Sequence, residues 1–265
     1  MVKRSPMRDG EHVVFSDKPS MLSFSHDGSL YVDQQNGQYI IRHLAWNDEK
    51  RQTEYQQLRA EMFVKQLEWD LLIDAKGRER DRYDVEGNTA NSVHCVYGKS
   101  GEEEYLLTGL RIFQLQNWHD SMITQEFYQV AMIPSHIIES LTSQYDCTTV
   151  MEVNRMCVLR GIHYVPLENS DRFNLFVARD LVYAVIHLIA EQTERRWVVT
   201  IVYPGYLRIL EKERYVFDIL YSHGLEDQKH GYALVLIDIF ASMQSIKLKN
   251  INRANRFLTL SVKKD

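Results

Sequence analysis

The spacing of hydrophobic and polar positions changes period several times along this chain. QYIIRHLAW (38–46) reads as a strand, and Asn47 or Asp48 then stands where a helix N-cap belongs, with Glu49 in the first turn. Tyr55, Leu58, Met62, Phe63 and Leu67 follow at helical spacing and give one apolar face, and Arg59 and Phe63, four apart, point the same way. NSVHCVY (91–97) and EYLLTGLRIF (104–113) form a predicted hairpin around GKSGEE. Gly109 inside its second strand calls for a bulge or a close backbone approach.

Further on, a helix is predicted near 134–144 and a buried strand over TTVMEVNRMCVL (148–159). A helix over 173–194 carries a broad stripe through Phe176, Val177, Leu181, Val185 and Leu188. RRWVVTIVY (195–203) is a strand, YLRILEKERYVFDILY (206–221) is predicted to be mostly helical, and YALVLIDIF (232–240) is a strand. Residues 1–37, rich in Ser, Asp, Gly and Gln, read as an irregular extension with a small hairpin around SHDGSLYV (25–32). The remaining 38–265 form one domain. This mixed order predicts an α/β fold, a central sheet flanked by helices, without internal repeats.

Composition narrows the function classes. The chain has 265 residues and a net charge of −5, which argues against general nucleic-acid binding and leaves room for a local basic patch. Cys95, Cys147 and Cys157 lack metal-ligand spacing and read as buried free thiols of a reducing compartment, so a cytoplasmic location is expected. The opening MVKRSPMRDGEHVV has no apolar core behind it, and no run is long enough to span a bilayer. His43, His94, His163 and His187 are scattered without metal spacing, and no metal is expected.

The densest chemistry is RERDRYD (78–84), where Glu79, Asp81 and Asp84 stand among three arginines beside Tyr83. Alone, such a trio is what a solvated loop shows. Arg59 alone would pair with Glu61 or Glu54 on a helix surface, and Phe63 and Trp69 alone would be core. Arg111 and Glu152 sit in apolar strands, where an unpaired charge is costly, so each needs a buried partner.

Arg59, Phe63 and Trp69 followed by Glu79, Asp81 and Asp84 resemble the N-terminal signature of the acyl-homoserine-lactone synthases (autoinducer synthases). TGLRI (108–112) is similar to that family's Gly- and Arg-bearing strand, which maps Arg111. MEVNRM (151–156) is similar to its E-x-x-R strand, which maps Glu152 and Arg155, and Phe127 matches an aromatic between the two. The chain departs from the family at Asn154–Met156, where Ser-Arg-Phe is usual, and at Ile201–Tyr203, where a Thr-rich strand end is usual.

The resemblance implies a GNAT-like twisted mixed sheet in a three-layer sandwich, whose central strands splay to admit an acyl chain. It implies transfer of an acyl group from an acyl carrier protein or acyl-CoA thioester to the amine of S-adenosylmethionine. Lactonisation and release of methylthioadenosine follow, with S-adenosylmethionine as substrate and no tightly bound cofactor. Glu152, Asp81, Asp84 and Arg111 are then the catalytic candidates, with Glu152 first as base. Arg59, Phe63, Trp69, Glu79, Phe127 and Arg155 are the substrate-binding candidates, arginines for the carboxylate and carboxylates or rings for the cationic centres. Arg208 and Lys212, on one helix face, are candidates for docking an acidic carrier. In a regular strand Glu152 and Arg155 point to opposite faces, so a shared site needs a bulge. The alternatives are a related acyltransferase that makes a linear N-acyl amino acid, and a non-catalytic module that binds an acyl chain or a nucleoside.

Overall fold

In the computed structural model the described residues are 29–34, 37–45, 47–84, 91–100, 103–158, 170–227 and 230–249. Strands β1 (Ser29–Gln34) and β2 (Gly37–Leu44) precede helix α1 (Glu49–Arg59). Strands β3 (Asn91–Ser100) and β4 (Glu103–Gln114) lead to a short α2 (Tyr128–Val130), α3 (Ser135–Gln144) and β5 (Val150–Val158). Helix α4 (Ser170–Gln192), β6 (Trp197–Val202), α5 (Pro204–Lys212), β7 (Val216–His223), β8 (Tyr232–Asp238) and α6 (Ile239–Lys249) complete the order. The strands form one eight-stranded sheet, β1-β2-β3-β4-β5-β6-β8-β7.

Every neighbouring pair is antiparallel except β5 and β6. Helix α4 makes the crossover that a parallel pair requires. One core lies between the sheet and α4 to α6, through Leu181, Val185, Leu188, Leu210 and Met243. On the opposite face Tyr55 and Leu58 of α1, with Met62 and Phe63 just beyond it, cluster with Val93, Cys95 and Tyr97 of β3, while Met122, Ile123 and Leu141 pack the 118–144 segment over the middle of the sheet. Helices on both faces make the expected three-layer α/β sandwich. Cys95 and Cys157 are buried free thiols, whereas Cys147 is only half-buried.

Most predicted elements are present, with Asp48 as the N-cap of α1, its carboxylate accepting from the Arg51 N–H at 3.2 Å. Three differ. The helix predicted over 206–221 ends at Lys212; Arg214 takes a φ of +63°, and Val216–His223 pair with β8. Tertiary pairing there overrides the helical reading, because VFDILY is also rich in β-branched and aromatic residues. The strand predicted to 240 stops at Asp238, whose side chain accepts from Ala241 N–H at 3.0 Å, and α6 begins. Within 1–37, Ser29–Gln34 form β1, hydrogen-bonded to β2; residues 1–28, including part of the predicted hairpin, lie outside the described residues. The Phe176 side chain lies outside them too.

Candidate active site

Gly109 is where α1 meets the sheet. A Cβ there would sit 2.7 Å from Cys95 Sγ and 2.8 Å from the Tyr55 ring, so only glycine lets Tyr55 lie on β4. Tyr55 then donates from its hydroxyl to the Arg155 carbonyl at 3.0 Å, and Arg59, one turn later, stands over β4 and β5. Beyond Arg59 the helix widens into a π-helical stretch, Ala60–Gln66, with Leu67 N–H donating to the Met62 carbonyl at 3.0 Å. Wide turns of this kind concentrate at functional sites.

The same region of β5 carries the bulge that Glu152 and Arg155 require. Gly109 pairs with Cys157 and Arg111 with Asn154, so Leu110 alone faces both Arg155 and Met156. Arg155 absorbs the extra residue with a φ of +53°, a left-handed conformation that costs a non-glycine residue about 1–2 kcal/mol. Its side chain is thereby turned to the α1 face, where Asn154 already points.

Six charged side chains meet there out of water. Arg59 donates from Nε to Glu79 Oε2 at 2.6 Å, from Nη1 to Asp84 Oδ1 at 2.9 Å and from Nη2 to Asp81 Oδ2 at 3.2 Å. Arg111 holds Asp81 with both arms of its fork, Nη1 to Oδ1 at 2.8 Å and Nη2 to Oδ2 at 2.9 Å. Arg155 reaches Asp81 Oδ2 from Nε at 3.1 Å and Glu79 Oε1 from Nη2 at 3.2 Å. The loop is wound to suit: Asp84 accepts from Asp81 N–H at 2.9 Å and Asp81 from Tyr83 N–H at 3.0 Å. Burial pushes the Asp81 carboxyl up, but Arg111, Arg59 and Arg155 together hold it well below the usual carboxylate range. Three cations balance three anions, which is how a cluster this buried is tolerated.

Glu152 forms a second set beside the first. It is fully buried and accepts from Ser121 Oγ at 2.6 Å, Asn154 Nδ2 at 2.7 Å and Ile123 N–H at 3.4 Å. Burial pushes its carboxyl above the usual range in spite of these donors and of Arg111. Asn154 joins the two sets, since its Oδ1 accepts from Arg111 Nε at 2.8 Å.

A cavity of about 570 Å³ opens on the other side of Arg155. Its origin is topological. Strands β5 and β6 pair only at Val150–Trp197, Met151–Val198 and Glu152–Val199, then diverge while each keeps its outer neighbour. Aromatic rings of Phe63, Trp69, Phe127 and Tyr203 line one end; Leu110, Val182, Val185, Ile186 and Leu210 line the other, on the α4 face. Trp69 stacks on Phe63 at 5.0 Å and lies edge-on to Phe127 at 6.2 Å. The Arg155 guanidinium stands over Phe63 at 5.5 Å and Phe127 at 5.1 Å. Its Nη1 is buried without a hydrogen-bond partner among the described residues.

The structure thus sorts the candidates into layers. Phe63, Trp69, Phe127 and Arg155 line the cavity. Arg59, Glu79, Asp81, Asp84, Arg111 and Glu152 stand behind that lining. Arg208 and Lys212 are exposed on α5, away from both sets. Asn154, Tyr203, Glu226 and Asp227 also line the cavity, and sequence reasoning gave them no role. Asn154 and Tyr203 carried a signal, each as a departure from the family pattern. Among the described residues no group of His, Cys, Asp or Glu could hold a metal ion, and no helix is long and apolar enough to cross a membrane.

Solved structures of known proteins share this fold. BjaI, a CoA-dependent acyl-homoserine lactone synthase solved with S-adenosylmethionine and isopentyl-CoA, is 19% identical with a TM-score of 0.55, over 81% of this chain and 89% of that one. TofI in a ternary complex with an inhibitor and MTA is 14% identical with a TM-score of 0.53, over 78% and 96%. The AHL synthase LasI is 15% identical with a TM-score of 0.51, over 77% and 91%. At these identities the likeness speaks to the GNAT-like fold. No curated protein sequence gives a match. The autoinducer synthase family model matches residues 44–242, most of the chain, and this protein therefore belongs to the autoinducer synthase family of acyltransferases.

Proposed function

We propose that the protein acylates the amine of S-adenosylmethionine from an acyl thioester, then closes the product to an N-acyl-homoserine lactone. The observation that carries this reading is the cavity at the parting of β5 and β6, with Arg155 and aromatic rings in its lining and aliphatic walls beyond them. An acceptor carboxylate entering there meets the planar Arg155 guanidinium, which suits it and whose Nη1 has no partner among the described residues. Trp69, Phe63 and Phe127 offer ring faces to a sulfonium or an adenine. The aliphatic end takes the acyl chain.

In this reading the acceptor amine gives a proton to Glu152 through the Asn154–Ile123 wall by way of water. The neutral amine attacks the thioester carbonyl, and the thiol leaves with the proton. Edge N–H groups of β5, past the point where β6 departs, would supply donors to the oxyanion. The carboxylate held by Arg155 then attacks the carbon next to the sulfonium, and neutral methylthioadenosine leaves as the ring closes. Asp81, Asp84, Glu79, Arg59 and Arg111 act by holding Arg155 and Asn154 in place. Arg208 and Lys212 offer an acidic carrier two exposed cations on the helix that follows β6.

The test is mass spectrometry of purified protein with S-adenosylmethionine and a panel of acyl-carrier and acyl-CoA donors. Acyl-homoserine lactone with equimolar methylthioadenosine is the expected result. Donor consumption with a linear N-acyl product would assign another amine as acceptor, and binding of S-adenosylmethionine without turnover of any donor would make the protein a binding module.

A further inference from the structure

Asn154 joins the cavity lining to both buried side-chain sets. Its side chain borders the cavity, takes an N–H from Arg111 and gives one to Glu152. The amide cannot be turned over. A guanidinium only donates, so the atom facing Arg111 Nε must be the oxygen, and the nitrogen then faces Glu152 Oε1. The other carboxylate oxygen is held by Ser121 and the Ile123 N–H. Glu152 is therefore surrounded by donors, yet its neighbour is a neutral amide where a direct partner would be the Arg111 cation. A direct pair would leave the carboxylate a poor proton acceptor, whereas an amide spacer keeps it oriented and basic.

We propose that Asn154 is a positioning residue, a neutral spacer that aims the Glu152 carboxylate and insulates it from the Arg59–Arg111–Arg155 cluster. The inference rests on the acyl-transfer reading above and goes beyond it, because it assigns the control of the base to a residue at which this chain departs from the motif. Charged and titratable groups facing Glu152 are few: Arg111 from β4, and Tyr83 from the acidic loop, whose phenol Glu152 helps to push up. Ser121 and the Ile123 N–H are its uncharged neighbours on the remaining side.

The experiment is the pH profile of kcat/KM for acyl transfer in wild type, Asn154→Asp, Glu152→Gln and the double variant. Asn154→Asp is isosteric and sets a second carboxylate against Glu152, and like charges in contact raise the pKa of the shared site. The acidic limb is expected to move up by about one pH unit or more, and this displacement to be absent when Asn154→Asp is made in the Glu152→Gln background. An unmoved limb in folded Asn154→Asp, or an equal displacement between Glu152→Gln and the double variant, would overturn the proposal. Should the acidic variant fail to fold, Asn154→Ser gives the second reading: kcat about tenfold lower with the S-adenosylmethionine KM within about twofold. A raised KM at unchanged kcat would overturn it. No acyl transfer by wild type from any donor would instead sink the acyl-transfer reading itself.

Discussion

Arg155 joins Arg59, Arg111 and three carboxylates in a cluster tied together out of water, and it also lines the cavity, with its Nη1 buried without a partner among the described residues. The two regions share β5 and differ in whether their polar atoms are satisfied. The ion cluster is closed: Asp81 alone accepts from all three arginines. The cavity is open, edged by rings and aliphatic groups. Charge density alone does not mark the reacting surface. The paired charges of Arg59, Arg111, Glu79, Asp81 and Asp84 stand behind the cavity lining, and of the three arginines Arg155 lines it.

The strongest way to break this comparison is Asp81→Ala. It strips one acceptor from three buried cations, and breaking a buried ion pair costs about 3–5 kcal/mol. We expect a large drop in urea midpoint or loss of the fold; a wild-type midpoint would show that the cluster is no scaffold. Asp84→Ala and Arg111→Ala remove turnover in the same way, with stability falling alongside, since both residues are fully or almost fully buried.

Acid should dismantle the same region. The Asp81 carboxyl is held low by Arg111, Arg59 and Arg155 against the upward push of burial. Its stabilisation is therefore complete above the unfolded carboxylate value of about 3.9 and is lost as pH falls towards its folded value. Urea midpoints measured from pH 8 downward should stay level and then fall below about pH 4.

Arg155→Lys tests the open side. It keeps the charge but loses the fork, so S-adenosylmethionine affinity by calorimetry should fall about 10–100-fold. A smaller loss of stability is expected than for Asp81→Ala. Unchanged affinity would mean that the unpaired N–H does not face the acceptor. A subtler change is Val185→Phe, which fills part of the aliphatic end. The preferred donor, read by product mass, should become shorter, with the S-adenosylmethionine KM unaltered. Smallest of all, the pair Arg208→Glu and Lys212→Glu should leave stability untouched. It should lower kcat/KM about tenfold or less for carrier-bound donors, most at low salt. An equal loss with small thioester donors would remove α5 as a docking surface.

Much of this was legible in the sequence. The period of the apolar residues located α1, β3, β4, β5, α4, β6 and β8, because each spacing is a property of a few consecutive residues. Gly109 announced a close approach, and Tyr55 makes it. The charged residues of 59–155 were legible as a set, but their roles were not. Asp81 looks like a ligand for a cationic substrate until the fold shows it bound by three arginines. Asn154 looked like a flaw in a motif until its amide was found between Glu152 and Arg111.

The sequence by itself determined the α/β order and the charged and aromatic residues, since helix and strand periods and side-chain chemistry are local. Tertiary structure decided what depends on residues far apart. Pairing with β8 made 216–223 a strand, and the bulge at Arg155 turned its side chain onto the face of Asn154. The brief pairing of β5 with β6 opened the cavity. Burial then separated the paired charges behind the cavity from the residues that line it, because a buried charge must find its partner wherever the fold brings one.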